Sequence, residues 1–398
     1  MRMSNRISDF QASPIRRLVP YANDAKRRGV HVFHLNIGQP DIITPPHVID
    51  AVQNYAPKII AYGQSEGELD LREALPGYYR TFGVDISADD IMITTGGSEA
   101  IQFVFMTLCD PGDEVIVPEP YYTNVGAFAH SASVVLKAVT SRLEDDFSLP
   151  KIDQFREQIT ERTRAILLCS PNNPTGHIYT DEEFRQILKL VEEHDIFLIV
   201  DEVYREFCYD CKEFTSALLY PEYADRVIVV DSFSKRYSMC GARIGTLISR
   251  NLAVLEGAMK LAQARLCPPD IEQVAALAAV KTPREYLDRV KAEYQNRRDF
   301  IVEKLRSIPG VTCSVPKGAF YLIAELPVAD AEDFCIFLLR DFQLNGQTVM
   351  IAPAEGFYVT PGLGKREVRI AYVLNTVDLG HAMECLKAAL EAYPHRTI

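Results

Sequence analysis

An α/β architecture is what this 398-residue sequence predicts: a mainly parallel seven-stranded sheet flanked by helices, with a smaller α+β domain attached. Three observations carry that expectation. Between residues 90 and 249, short β-branched runs alternate with longer helical patterns, the order expected of parallel strands joined by helical crossovers. The runs are nearly continuous apolar stretches, as strands covered on both faces read. Beyond about residue 285 the pattern changes to one long amphipathic helix followed by separate strands and helices.

The strands are expected at 90–94, 114–118, 133–139, 165–170, 197–201, 227–231 and 243–249, with helices at 99–108, 149–157 and 181–194 between them. In the later part, a helix is expected at 284–307, a strand at 319–325, a helix at 331–340, a strand at 367–373 and a last helix ending near Tyr393. The first 45 residues show little regular pattern and are assigned to the smaller domain. The expected division is therefore a large domain at 46–285 and a small one built from 1–45 and 286–398.

Composition narrows the function classes. Hydrophobic residues make up 47% and charged residues 24%, enough apolar surface to offset the entropy of ordering, so bulk disorder is excluded. The formal net charge is −12, a field that repels a phosphate backbone, and no nucleic-acid partner is expected. No apolar run approaches the roughly 20 residues of a membrane-spanning helix. The first residues, MRMSNRISDF, lack the apolar core of a secretory signal, so a cytoplasmic location is expected. The nine cysteines form no disulfide framework by spacing. Cys208 and Cys211 are spaced C-x-x-C, but without a second ligand pair or a thioredoxin-like setting they read as structural thiols.

In an open α/β sheet, ligands bind beyond the carboxyl ends of the strands. After 90–94 come Gly96, Gly97 and Ser98 at the start of a helix, where glycines admit a close backbone approach and the helix terminus favours an anion. The spacing is neither that of a P-loop nor that of a dinucleotide fingerprint. After 165–170 comes SPNNPTG, a rigid loop presenting Asn173. The next strand ends in Asp201-Glu202-Val203-Tyr204, a carboxylate whose burial is costly unless it finds a partner. The following strand ends in Asp231-Ser232-Phe233-Ser234-Lys235, with Arg243 eight residues beyond the lysine. Two hydroxyls, an arginine and a helix terminus make a phosphate-binding set, and a lysine beside it suits a Schiff base.

Taken together, these motifs resemble the class I/II aminotransferases, pyridoxal 5'-phosphate enzymes of fold type I. The likeness runs from Asn36-Ile37-Gly38-Gln39-Pro40-Asp41 through Tyr62-Gly63, TTGGSEAI, Pro120-Tyr121-Tyr122, SPNNPTG, DEVY, SFSK, GARIG and KGAFY to Val368-Arg369-Ile370, in family order. The resemblance implies that Lys235 carries the cofactor covalently and afterwards moves the substrate Cα proton. It implies that Asp201 pairs with the pyridinium nitrogen, and that Tyr204 and Asn173 meet the phenolic oxygen. Tyr122 is expected to stack on the ring. Gly97, Ser98, Ser232, Ser234 and Arg243 are expected to form the phosphate cup, joined by Tyr62 from a second copy of the chain, so a homodimer with shared sites is implied. Arg369, assisted by the Gly38 backbone and Asn173, is expected to clamp the substrate α-carboxylate.

The function so implied is transfer of an amino group from an L-amino acid to a 2-oxo acid such as 2-oxoglutarate. Other fold type I reactions, namely β-elimination, decarboxylation and cyclopropane formation, use the same lysine and remain open on motifs alone. A transcription regulator carrying such a domain would need a DNA-binding module, and no helix-turn-helix pattern precedes the core. A nicotinamide oxidoreductase would need a phosphate fingerprint that is absent. Substrate choice turns on a second cation. Some aspartate-specific relatives carry a lysine where this chain has Ser98. Another group of relatives uses an arginine of the partner subunit, and Arg265, just before Pro268-Pro269, is the candidate for it here; its register does not match cleanly, a solvated helix residue is the alternative, and preference for aspartate or glutamate stays open.

Overall fold

The computed structural model describes residues 3–8, 10, 13–210 and 214–397; Cys211 lies outside them. Strand β1 (His31–His34) precedes seven strands that form one sheet: β2 (Ile91–Thr94), β3 (Glu114–Glu119), β4 (Val135–Thr140), β5 (Thr163–Cys169), β6 (Phe197–Asp201), β7 (Val227–Ser232) and β8 (Gly245–Ser249). Their order is β2-β8-β7-β6-β5-β3-β4. Strands β4, β3, β5, β6 and β7 pair in parallel, whereas β8 is antiparallel to both neighbours. The reason is local. Successive parallel strands need a crossover, but β7 and β8 are joined by a loop of 12 residues without an α-helix, which can only return the chain.

Alternating side chains of these strands feed two separate cores, one on each face. Leu198 and Val200 enter one, and Ile199 enters the other; Ile166 and Leu168 are likewise separated from Ala165 and Leu167. Burial on both faces explains the nearly unbroken apolar runs in the sequence.

The C-terminal part holds a smaller antiparallel sheet, ordered β12 (Ala352–Pro353), β13 (Glu367–Ala371), β10 (Tyr321–Glu325) and β9 (Thr312–Cys313). Strand β11 (Gln347–Met350) pairs in parallel with β1, which ties the N-terminal residues to this part of the chain. The helix Arg284–Arg306 starts with Leu287 in one core of the large sheet and continues with Val290, Tyr294 and Ile301 in the core of the smaller unit.

Among the boundaries that differ from the sequence expectation, three have a backbone reason. Residues 243 and 244 are not strand, because Arg243 adopts a left-handed conformation (φ 52°) that turns the chain into β8. Residue 319 is not strand, because Ala319 is left-handed (φ 57°) and donates its N–H to the Phe207 carbonyl. The strand expected from 133 begins at Val135, after Ser133 in a left-handed turn. Within the first 45 residues, which show little regular pattern in sequence, the chain forms the helix Val19–Arg27 and β1.

Candidate active site

The carboxyl ends of β2, β5, β6 and β7 converge on one side of the sheet, and the reversed β8 brings its N-terminal flank to the same side. Thr94, Gly245 and Ser232 are therefore adjacent in register, with Arg243 just before Gly245. A cavity of about 570 Å³ opens there. It is lined by Lys235, Asp201, Tyr204, Tyr122, Asn173, Gly97, Ser98, Ser232, Ser234, Arg243, Gly38 and Arg369. Of the residues singled out from sequence as site candidates, two stand elsewhere. Tyr62 is 82% exposed and does not line the cavity. Arg265 pairs with Glu99 at 2.7 Å and donates to the Ser65 carbonyl at 2.7 Å, so its guanidinium is committed within its own chain.

One end of the cavity is a cradle of small groups. Gly96 has φ +76°, and a Cβ there would collide with the Arg243 guanidinium. A Cβ on Gly245 would meet backbone atoms of Gly96, Gly97 and Asp231 at 2.5–2.7 Å. Only glycine lets these three loops close on one another. The Ser232 and Ser234 hydroxyls lie 2.8 Å apart, and Ser232 Oγ also donates to the Ile244 carbonyl at 3.0 Å. The helix Gly96–Leu108 presents its N-terminus here. Hydroxyls, a half-free guanidinium and helix N–H groups suit a phosphate.

The middle of the cavity holds Lys235 and Asp201. Lys235 Nζ donates to the Gly38 carbonyl at 2.8 Å and lies 3.8 Å from Cys240 Sγ. Gly38 is itself constrained, because a Cβ there would strike the Tyr321 hydroxyl. Asp201 is 9% exposed. Its carboxylate accepts the Val203 N–H at 3.1 Å but has no ion pair among the described residues. Burial foremost, with Asp231 and Glu202 nearby, pushes its pKa up to about 7. A carboxylate left in that state is a ready partner for a cationic nitrogen. Tyr204 and Tyr321 share a hydrogen bond of 2.9 Å beside it, and Tyr122 Oη accepts from Asn124 at 2.8 Å.

At the other end lies Arg369, 1% exposed. Its Nη1 donates to Asn173 Oδ1 at 3.1 Å and its Nη2 to the Asn36 carbonyl at 2.5 Å, while Nε has no partner. Tyr321 and Phe357 flank the guanidinium at 4.6 and 5.0 Å from their ring centres. No carboxylate faces it among the described residues, and burial lowers its pKa. A fully buried cation with only neutral acceptors is prepared for an anion from outside. The donor set thus fits pyridoxal phosphate: a phosphate cradle, a lone carboxylate for the ring nitrogen, and an amine between them.

Sequence reasoning missed three contributors. Tyr321 reads as a strand-core aromatic within KGAFY, yet its hydroxyl meets both Tyr204 and the Gly38 loop. Asp231 accepts from Ser232 N–H at 2.6 Å and from Arg236 at 2.8 Å, holding the strand end from which Ser232 and Ser234 hang. Arg16 lines the cavity from the N-terminal segment, where no pattern in the sequence marked it.

Comparison with known proteins agrees with this geometry. The family model for aminotransferase class I and II matches residues 30–386. The aspartate aminotransferase of Rhizobium meliloti is 31% identical over 98% of this chain and 96% of its own. Two solved structures superpose closely. The alanine aminotransferase of Pyrococcus furiosus has a TM-score of 0.88 at 31% identity, covering 98% of this chain and all of its own. The aspartate aminotransferase of Thermotoga maritima has a TM-score of 0.89 at 30% identity, with the same coverage. Among the described residues, a lysine, a carboxylate without an ion pair and an arginine without a carboxylate partner share one cleft of this sheet. The chain belongs to the class I/II aminotransferase family, whose members generally depend on pyridoxal phosphate.

Proposed function

We propose that this chain binds pyridoxal 5'-phosphate through Lys235 and transfers the amino group of an L-amino acid to a 2-oxo acid such as 2-oxoglutarate. The observation that carries the reading is the pair of uncompensated buried charges, Asp201 and Arg369, on either side of Lys235 in one cavity. When bound, the cofactor supplies an electron sink that makes the substrate Cα–H bond labile. The chain's own groups do the rest. Lys235 Nζ takes the proton from Cα. Asp201 stays ionised beside the ring nitrogen and holds it protonated. Tyr204 and Asn173 orient the phenolic oxygen, Tyr122 packs on the ring face, and Arg369 with Asn173 fixes the α-carboxylate so that the Cα–H bond faces the lysine.

The phosphate falls to Gly97, Ser98, Ser232, Ser234 and Arg243. Tyr62, together with the exposed Ile43, Ile59 and Ile60, supports a homodimer in which Tyr62 reaches the neighbouring site. The division into a unit of 46–285 and one of 1–45 with 286–398 is supported by their different cores, which meet along the helix Arg284–Arg306 and at Cys169, Tyr204, Phe207 and Tyr209, which pack into the core of the smaller unit.

The test is direct. Borohydride reduction of the holoprotein followed by peptide mapping is expected to label the peptide containing Ser234 and Lys235. Conversion of 2-oxoglutarate to glutamate with an amino donor separates amino transfer from elimination or decarboxylation. A label elsewhere, or no glutamate with any donor, overturns the reading.

A further inference from the structure

The cavity carries four cations and one anion: Arg16, Lys235, Arg243 and Arg369 against Asp201. On the reading above, Lys235 would hold the cofactor, Arg243 would meet the phosphate, Arg369 the α-carboxylate, and Asp201 the ring nitrogen. One cation is left over. The Arg16 side chain has no hydrogen bond or ion pair with any described residue, while its backbone N–H donates to the Ser13 carbonyl at 3.0 Å. The two cations that sequence comparison would offer for this place are absent. Position 98 is serine, and Arg265 is held by Glu99 at 2.7 Å.

The Arg16 side chain is exposed, but its backbone is fixed. The residues on both sides of it are tied down. The Ile15 carbonyl accepts from Asn36 Nδ2 at 3.1 Å, and the Asn36 carbonyl in turn accepts from Arg369 Nη2. Arg17 pairs with Glu332 at 2.5 Å. Pro14 packs against Gly356, where a Cβ would meet its ring at 2.7 Å. The Arg16 backbone is thus held in fixed relation to Arg369 through a single asparagine, while its guanidinium alone is left without a partner. Ile37 and Phe128 line the same cavity.

We propose that Arg16 recognises a second, distal carboxylate, so that the preferred donors and acceptors are dicarboxylic: aspartate or glutamate and their 2-oxo acids. The proposal rests on the aminotransferase reading, in which Arg369 holds the α-carboxylate. Arg16 and Arg369, linked through Asn36, then form a two-point clamp for a short dicarboxylate. Monocarboxylic amino acids engage only one of the two.

The experiment compares wild type with Arg16→Gln and Arg16→Lys as holoproteins. In half-reactions with 2-oxoglutarate absent, Arg16→Gln is expected to lower kcat/KM for aspartate and glutamate by about tenfold, the scale of one hydrogen bond to a charged group. Alanine should change by less than about threefold on the same reasoning, and Arg16→Lys should restore part of the dicarboxylate rate. A binding arm needs no turnover: calorimetry with succinate and with butyrate. Succinate should weaken in Arg16→Gln and butyrate should not. Equal losses for all donors, no loss for any, or wild-type preference for alanine would overturn the proposal. Absence of amino transfer from every donor would fall on the aminotransferase reading instead, and the succinate and butyrate comparison would still decide the role of Arg16.

Discussion

Two neighbouring strands end in a buried aspartate, and the two are treated in opposite ways. Asp231, at the end of β7, is surrounded by partners: Arg236 at 2.8 Å, Tyr79 Oη at 2.7 Å, Arg205 at 3.5 Å and the Ser232 N–H at 2.6 Å. Its pKa is lowered, since the two arginines and hydrogen bonds outweigh its burial. Asp201, at the end of β6, has one backbone N–H and a pKa pushed up to about 7. The same residue type in adjacent places is structural where its charge is matched and available for ligand where it is not. Arg369 against Arg236 repeats the contrast for cations: one is buried with neutral acceptors, the other with a carboxylate.

Predictions follow this division, from the largest effect down. Lys235→Ala should retain cofactor through phosphate and ring contacts yet lose turnover by about 10⁴-fold, the upper scale of a proton-transfer group; near-normal turnover would remove the lysine from the chemistry. Asp201→Ala should cost about 10³-fold in rate, as for loss of one preorganised electrostatic partner, with Asp201→Glu far milder. Equal, slight effects of both changes would make Asp201 a helix cap and erase the contrast with Asp231.

Asp231→Asn should act on stability instead. Leaving Arg236 buried without its carboxylate, while Arg205 keeps Glu202 at 2.9 Å, is expected to cost roughly 3 kcal/mol, the lower end for breaking a buried pair. The check is a denaturant midpoint on the cofactor-free protein beside Asp201→Asn, which should not be destabilised. A larger stability loss from the Asp201 change would reverse the assignment.

The two aspartates also predict opposite pH dependence. Asp201 has a folded pKa near 7, above the ordinary carboxylate value, so between about pH 4 and pH 7 the folded cofactor-free protein binds the extra proton. Its contribution therefore falls as the pH rises through that window, and Asp201→Asn should flatten the slope. Asp231 is depressed, so its contribution is present above the ordinary carboxylate range and is lost as the pH falls below it. Denaturation midpoints at several pH values measure both.

The smallest effect concerns Tyr62. A mixed dimer pairing wild-type chains with the double variant Tyr62→Phe, Lys235→Ala contains one site with an intact lysine and a damaged tyrosine. Loss of one hydrogen bond to a charged phosphate should weaken cofactor affinity there by about tenfold. Unchanged affinity, or full activity of a dilute monomer, would count against shared sites.

Much of the fold was legible because strands buried on both faces must be apolar throughout, and seven such runs became the seven strands of the sheet. The helix Asp270–Val280 was missed because DIEQVAALAAV is apolar almost all round and carries no stripe to mark its period. The reversal of β8 left no mark within its own residues; the missing crossover helix before it was the available signal. Most of the candidate site was legible as well, because its groups sit at strand ends in compact motifs such as SPNNPTG and SFSK.

The sequence by itself therefore determined the architecture, the placing of the lysine, the carboxylate and the small-residue loops at strand ends, and the resemblance that those motifs carry. Only the tertiary structure decided which charges are matched. Glu99 and Arg265 are 166 residues apart and Asn36 and Arg369 are 333 apart, so local periodicity holds no trace of either contact. Whether a buried charge stabilises the fold or awaits a ligand depends on what lies within a few ångströms of it, because electrostatic attraction and desolvation both act at that range. That is why Arg265 turned out to be occupied and Arg16 free.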